Sequence, residues 1–297
     1  MIKDIQLDHI AIAVDSWEEG WPVLVDKLHA KWRSGGMQPG FKPSQYAFEN
    51  ELKIELIAPY LTDQNDFLER FMEKSGTGPH HMTFKVKDIS EAIQSAKNAG
   101  FTIVSQNIAN DWWKEAFLHP KETCGIVIQL AQAAGTWFVP PPDNLPNSTS
   151  PVKSSFRFIS YVVKDFSAAK RLFVDLLGGQ VIHQGKTGIK NLDYLYIEWP
   201  GPGRIMIVYP NQKNDQELDM FLSGRLGRVN YLYFEFEQTG DCNSNFEDRD
   251  RKGQKSANLY VTDELLSEIL ELAPVNSLKI LDPVHNFNVR SVINCLS

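Results

Sequence analysis

The stretch Gly78-Pro79-His80-His81-Met82-Thr83-Phe84-Lys85-Val86 places two histidines at the mouth of an alternating segment. In an extended chain Met82, Phe84 and Val86 fall on one side, and His81 and Thr83 on the other. Asp88 with Glu91 then has the spacing of a capping box. Ile89, Ala92, Ile93 and Ala96 make a helical stripe, which Gly100 closes. A strand that opens on histidines and runs into a capped helix is the unit from which the rest of the chain can be read.

The same unit stands upstream. Ile5 to Val14 alternates, with Ile10, Ile12 and Val14 pointing one way and Leu7, His9, Ala11 and Ala13 the other. Ser16 with Glu19 offers a second capping box, but proline is tolerated only in a first turn. The regular helix is therefore expected to start near Pro22 and run toward His29. The span from Gly35-Gly36 to Pro43 reads as a loop. Gln45 to Phe48 and Leu52 to Ile57 form a hairpin around Asn50, which sets Gln45 opposite Glu55; Ile54 and Leu56 share the other face. A short helix through Phe67 to Phe71 leads into the double histidine. After Gly100, strands are expected at Phe101 to Val104, near Ala116 to Leu118, and at Ile126 to Leu130, where Gln129 faces away from Ile126, Ile128 and Leu130.

Residues 1–133 thus hold one strand–helix–strands unit twice. Residues 134–153, with Pro140-Pro141-Pro142, Pro146 and Asn147-Ser148-Thr149-Ser150, read as a linker. The pattern restarts over 154–297. Phe156 to Val163 mirrors Leu7 to Val14, and Phe166 to Leu177 is a helix closed by Gly178-Gly179. Ile205 to Pro210 mirrors Ile54 to Pro59, and Gly227 to Phe236 mirrors Gly78 to Val86. A polar insertion over Gln238 to Ser256, a helix through Thr262 to Leu270, and strands at Leu278 to Leu281 and Val289 to Ile293 complete it.

With 297 residues the chain can bury two cores, and its 42% hydrophobic and 23% charged residues are ordinary for a globular protein. A net charge of −7 argues against nucleic acid as a partner, because phosphate binding needs clustered basic groups. The densest charge run, Glu247 to Lys252, mixes signs and reads as a solvated loop. No stretch reaches the roughly 20 apolar residues of a membrane span, and no signal-type apolar segment opens the sequence. Cys124, Cys242 and Cys295 are scattered, which suits free thiols in a reducing cytoplasm.

In four strands the large aliphatics share one face, and the other face carries His9, Glu55, His81 and Gln129. A lone histidine on a strand is more often hydrogen-bonded than a ligand. Two imidazoles, a carboxylate and an amide on four strands are together a donor set for one divalent ion, with two positions left for water or substrate. Such a set suits Co, Ni, Zn, Mn or Fe.

Here the chain resembles the vicinal oxygen chelate superfamily of glyoxalase I, methylmalonyl-CoA epimerase and extradiol dioxygenases. The resemblance lies in Leu7 to Val14, Ile54 to Pro59, Gly78 to Phe84 with Val86 to Ile89, and Phe117 to Thr123 continuing through Gly125 to Leu130. The first module is closest to the epimerase branch. The resemblance implies an α+β fold of two tandem modules, each of paired βαβββ units forming a curled half-barrel sheet with helices on the convex face. It implies metal ligands at His9, Glu55, His81 and Gln129, with His80 pointing toward the helix side or the rim and His119 structural.

The epimerase pattern has glutamine where Glu55 stands and glutamate where Gln129 stands. It also has a glutamate base where Gln45 stands, and Gln45 cannot take a proton. The reacting centre is accordingly assigned to Glu55, a ligand able to shuttle a proton, with Gln45 opposite it. Phe158, Met206 and Asn230 are matched to His9, Glu55 and His81 in the second module, which is expected to hold no metal. The implied function is a metal-dependent isomerase or lyase acting on a small 2-oxo or acyl-thioester substrate, acyl-CoA first, in a monomer or homodimer. A metal-free binding protein of the antibiotic-sequestering type and an iron-dependent extradiol-type dioxygenase are the alternatives.

Overall fold

The computed structural model describes residues 1–135, 138–147, 151–187, 191–212, 215–236, 278–282 and 288–293. The polar insertion and the last helix expected between residues 238 and 270 lie outside the described residues. Among the described residues the fold is α+β, with two curled, unclosed sheets of eight and seven strands and few helices.

The first sheet contains both N-terminal units. β1 (Gln6–Ala13), β2 (Lys31–Gly35), β3 (Gly40–Ala47) and β4 (Lys53–Tyr60) come from one, and β5 (Gly78–Lys85), β6 (Ile103–Asn107), β7 (Trp113–Leu118) and β8 (Val127–Ala133) from the other. The order is β2-β3-β4-β1-β5-β8-β7-β6, so β1 and β5 meet at the centre, antiparallel, each flanked by a parallel neighbour. The alternation read in the sequence decides which side chains each face receives. Ile10, Ile12, Ile54, Leu56, Met82, Phe84, Ile128 and Leu130 are buried in the main core, where the helix Ile89–Asn98 contributes Ala92, Ile93 and Ala96. Asp88 caps that helix as expected, accepting from Ser90 N and Glu91 N.

The first helix departs from expectation. It runs over Trp17–Trp21 from Ser16, whose side chain makes no cap bond, and widens into a π segment at Pro22–Lys27. Proline sits at the junction, where the wider turn begins. The expected loop is also shorter than the span 35–43. Lys31–Gly35 is a strand, and β3 already includes Gly40 to Pro43. Trp32 Nε1 donates to Val139 O (2.8 Å) and Val139 N to Ser34 Oγ (3.2 Å), so part of the proline-rich stretch lies on β2.

The second sheet has the order β10-β11-β12-β9-β13-β14-β15. Its strands are β9 (Ser154–Val163), β10 (Gln180–Lys186), β11 (Leu192–Glu198), β12 (Arg204–Pro210), β13 (Gly227–Phe236), β14 (Leu278–Asp282) and β15 (Asn288–Ile293). β12 pairs parallel with β9 and β13 antiparallel with it, as β4 and β5 do around β1. The repeat then fails, because β14 joins β13 antiparallel whereas β8 joins β5 parallel. The ladder also corrects one residue match. Tyr231 lies opposite Ser160 as His81 lies opposite Ala11, while Asn230, like His80, is skipped by a bulge. Phe158, Met206 and Tyr231 hold the positions of the three first-sheet residues.

One hydrophobic core takes side chains from both sheets: Ile10, Leu56 and Phe84 from the first, Ile159, Ile207 and Phe234 from the second. Phe84 meets Trp199 edge-on (5.2 Å between centroids), and Phe48 meets Phe156 and Phe234. At one junction Tyr161 Oη donates to Cys124 O (2.7 Å), and a Cβ on Gly227 would lie 2.4 Å from that same carbonyl oxygen. Backbone cannot yield there as a flexible side-chain end can. Gly227→Ala should therefore destabilise the protein by about 1 to 3 kcal/mol, the usual range for overpacking. Urea unfolding would read this as a lower midpoint at unchanged slope.

A candidate metal centre on the concave face

The opposite face of the first sheet carries a small apolar floor of Ala11, Ala13, Ile57 and Leu68, the last from the helix Phe67–Ser75. Ala11 is the register partner of both Glu55 and His81. A methyl group between two long polar side chains leaves room where they converge. Thr83 is likewise the partner of both His9 and Gln129. All four residues that the sequence placed on this face are buried: His9 at 1% exposure, Glu55 at 7%, His81 at 5% and Gln129 at 6%.

His9, Glu55 and His81 each offer a donor atom within 4.8 Å of the other two. Glu55 Oε2 lies 3.6 Å from His9 Nε2 and 3.7 Å from His81 Nε2. Donors around one ion at about 2.1 Å are roughly 3 to 4 Å apart, so this spacing fits a shared ion. The decisive atom is His81 Nε2, which is buried without a hydrogen-bond partner among the described residues. An orphaned imidazole nitrogen beside a carboxylate is costly unless something else binds there. The residues present therefore fit a divalent ion.

Each donor is held from behind. Asp8 Oδ2 takes His9 Nδ1 at 2.8 Å, which turns Nε2 inward. Gln45, opposite Glu55 in the β3–β4 ladder as the hairpin reading required, donates Nε2 to Glu55 Oε1 at 2.9 Å. That leaves Oε2 for the site. His80 Nδ1 lies 2.8 Å from His81 Nδ1, and the His80 ring sits against Phe67 and Phe71, outside the cluster. His119 is also outside, its Nδ1 accepting from Lys121 N in the turn after β7.

The fourth residue, Gln129, is joined to the others through Thr83. The Thr83 hydroxyl donates to Gln129 Oε1 (2.5 Å) and lies 2.8 Å from His9 Nε2. Burial disfavours charge on His9, but the carboxylates of Glu55 and Asp8 outweigh it and raise the His9 pKa above the ordinary value. His81 is pushed well below its ordinary value by burial and by the neighbouring His80 and His9, with Gln129 opposing. Burial likewise lowers His80, to about 4, with Glu55 opposing.

Sequence reasoning missed Glu115. It lies on β7, diagonal to Gln129 across the β7–β8 ladder, and its Oε2 accepts from Gln129 Nε2 (2.7 Å) and Trp113 Nε1 (2.8 Å). A glutamate next to an alternating partner strand was the only available signal. Among the described residues no helix is long and apolar enough to cross a membrane.

Residues 8–117 match the sequence family described as Glyoxalase/Bleomycin resistance protein/Dioxygenase superfamily. Over 134 residues the chain is 31% identical to the mitochondrial methylmalonyl-CoA epimerase of Mus musculus, covering 43% of this chain and 73% of the mouse protein. Over 133 residues it is 29% identical to the ethylmalonyl-CoA/methylmalonyl-CoA epimerase of Cereibacter sphaeroides, covering 43% of this chain and 97% of that one. A mutant of 4-hydroxymandelate synthase from Streptomyces coelicolor has a similar fold, with a TM-score of 0.56 at 14% identity. That match covers 76% of this chain and 69% of the synthase, so it takes in more than either half alone.

Proposed function

This chain belongs to the glyoxalase/bleomycin resistance protein/dioxygenase superfamily, and on that premise we propose that it is a metal-dependent enzyme acting through an enolate or alkoxide of a small 2-oxo or acyl-thioester substrate. The observation that carries the reading is His81 Nε2, without a hydrogen-bond partner among the described residues and buried 3.7 Å from Glu55 Oε2, which in turn lies 3.6 Å from His9 Nε2. His9, Glu55, His81 and Gln129 would hold one divalent ion. Such an ion, when bound, supplies Lewis-acid stabilisation of charge developing on substrate oxygens.

The protein groups have separable tasks. Asp8 and Gln45 orient His9 and Glu55. Glu55 Oε2 is the site-facing carboxylate oxygen and is the atom that takes and returns a proton. Gln45, an amide, carries none. One inward carboxylate suits proton removal and return on one face of a substrate carbon, which is isomerase or lyase chemistry, better than two-sided epimerisation. The relatives named for methylmalonyl-CoA and ethylmalonyl-CoA make acyl-CoA the first substrate class to try.

Metal-loaded protein should exchange the α-proton of an acyl-CoA thioester, or of a 2-oxo acid, for deuterium in D2O, followed by proton NMR. Glu55→Gln should slow that exchange by about 100- to 10,000-fold, the usual contribution of a general base. No exchange by wild type across both substrate classes would sink the enolate reading.

A further inference from the structure

We propose that Glu115 is a positioning residue for the metal centre, fixing the side-chain amide of Gln129 so that its carbonyl oxygen faces the ion. This rests on the metal-dependent reading above. An amide has one oxygen that can ligate a cation and one NH2 that cannot, and the two ends have nearly the same shape. Nothing in Gln129 itself chooses between them. A carboxylate accepts only, so Glu115 Oε2, at 2.7 Å, tolerates the NH2 end and repels the oxygen. The Gln129 oxygen is thereby turned to Thr83 Oγ1, the hydroxyl that also contacts His9 Nε2.

Glu115 is itself held. Trp113 Nε1 donates to the same Oε2 at 2.8 Å, and Asn110 Oδ1 accepts from Trp112 N and Trp113 N in the turn that starts β7. The arrangement inverts the one across the cup. There the carboxylate of Glu55 faces inward and the amide of Gln45 stands behind it. Here the amide faces inward and the carboxylate stands behind. Each wall of the site pairs one Glu with one Gln, and only one of the two carboxylates is spent on the ion.

Metal affinity and ligand-field absorption together separate orientation of the amide from general packing. Co2+ affinity would be measured by competitive titration, with the visible absorption of bound Co2+ as a readout of its ligands. Glu115→Leu should weaken binding by about 10- to 100-fold, as removal of an outer partner of a ligand does. It should also alter the Co2+ spectrum. Glu115→Gln, which keeps a carbonyl acceptor for both donors, should recover most of the affinity.

The discriminating background is Gln129→Glu. A carboxylate presents an oxygen either way round and needs no orienting partner. In that background Glu115→Leu should cost nothing, or should tighten binding by removing a like charge. An equal cost in both backgrounds, or an unchanged affinity and spectrum in Glu115→Leu, overturns the proposal. Wild type that takes up no Co2+ overturns the metal reading and this inference with it. Wild-type uptake that needs His81 but ignores Glu115 overturns this inference alone.

Discussion

His81→Ala is expected to leave the protein without its divalent ion, and His9→Ala likewise. Both residues place a donor nitrogen within 4 Å of Glu55 Oε2. Both are almost wholly buried, so water cannot simply replace the missing donor at no cost. The loss in affinity should exceed the roughly 100-fold that marks removal of an outer partner. His80→Ala should cost less, because His80 meets His81 through Nδ1 and an edge-on ring contact and stands outside the cluster. Elemental analysis of protein loaded and then dialysed would show about one ion per chain in wild type and a small residue in either variant. Equal metal contents would refute the site. The metal-free variants should remain folded, since neither ring is part of the apolar core.

The second large effect concerns Asp8, the residue behind His9. Its Oδ1 receives Lys53 Nζ at 2.8 Å and Lys85 Nζ at 3.0 Å, while Oδ2 receives His9. Asp8 and Lys53 are each only 9% exposed. Asp8→Asn removes the negative charge and strands a buried ammonium, which typically costs about 3 to 5 kcal/mol. Burial alone would raise the Asp8 pKa. The hydrogen bond and charge of His9, with the charges of Lys53 and Lys85, overcome it and hold the carboxyl far below the usual range. A depressed folded value means that the stabilisation is present above the unfolded pKa, about 3.9, and is lost as the pH falls below it. Wild type and Asp8→Asn should therefore differ fully at pH 7 in chemical denaturation and converge as the pH drops under about 4. A constant difference across that range would show that Asp8 acts through shape and not charge.

The concave-face residues were legible because a strand has a period of two, and each of the four strands puts its large aliphatics on one side. Once Ile10, Ile54, Met82 and Ile128 are assigned to the core, His9, Glu55, His81 and Gln129 follow. The hairpin turn at Asn50 was enough to set Gln45 against Glu55. What stayed hidden has physical causes. Lys31–Gly35 is a polar edge strand without alternation, and Leu192–Glu198 buries residues on both faces, so neither shows a period. Gly227 pairs with Val163, one ladder position beyond the counterpart of the Gly78–Ala13 pair, and that offset, which puts Tyr231 and not Asn230 in register with His81, leaves no mark in a hydrophobic pattern. Glu115 acts only through another side chain. Its importance depends on the orientation of an amide, which no spacing rule records.

The shared core has a thermodynamic consequence. The first sheet buries its helix-bearing face against strands of its own chain, so this contact is unimolecular. A contact of that kind does not weaken on dilution, whereas one between separate subunits does. The ligand-bearing sheet is therefore braced equally at nanomolar and millimolar protein. The second sheet, whose matching positions are Phe158, Met206 and Tyr231, serves the first as a permanently tethered subunit with a fixed stoichiometry.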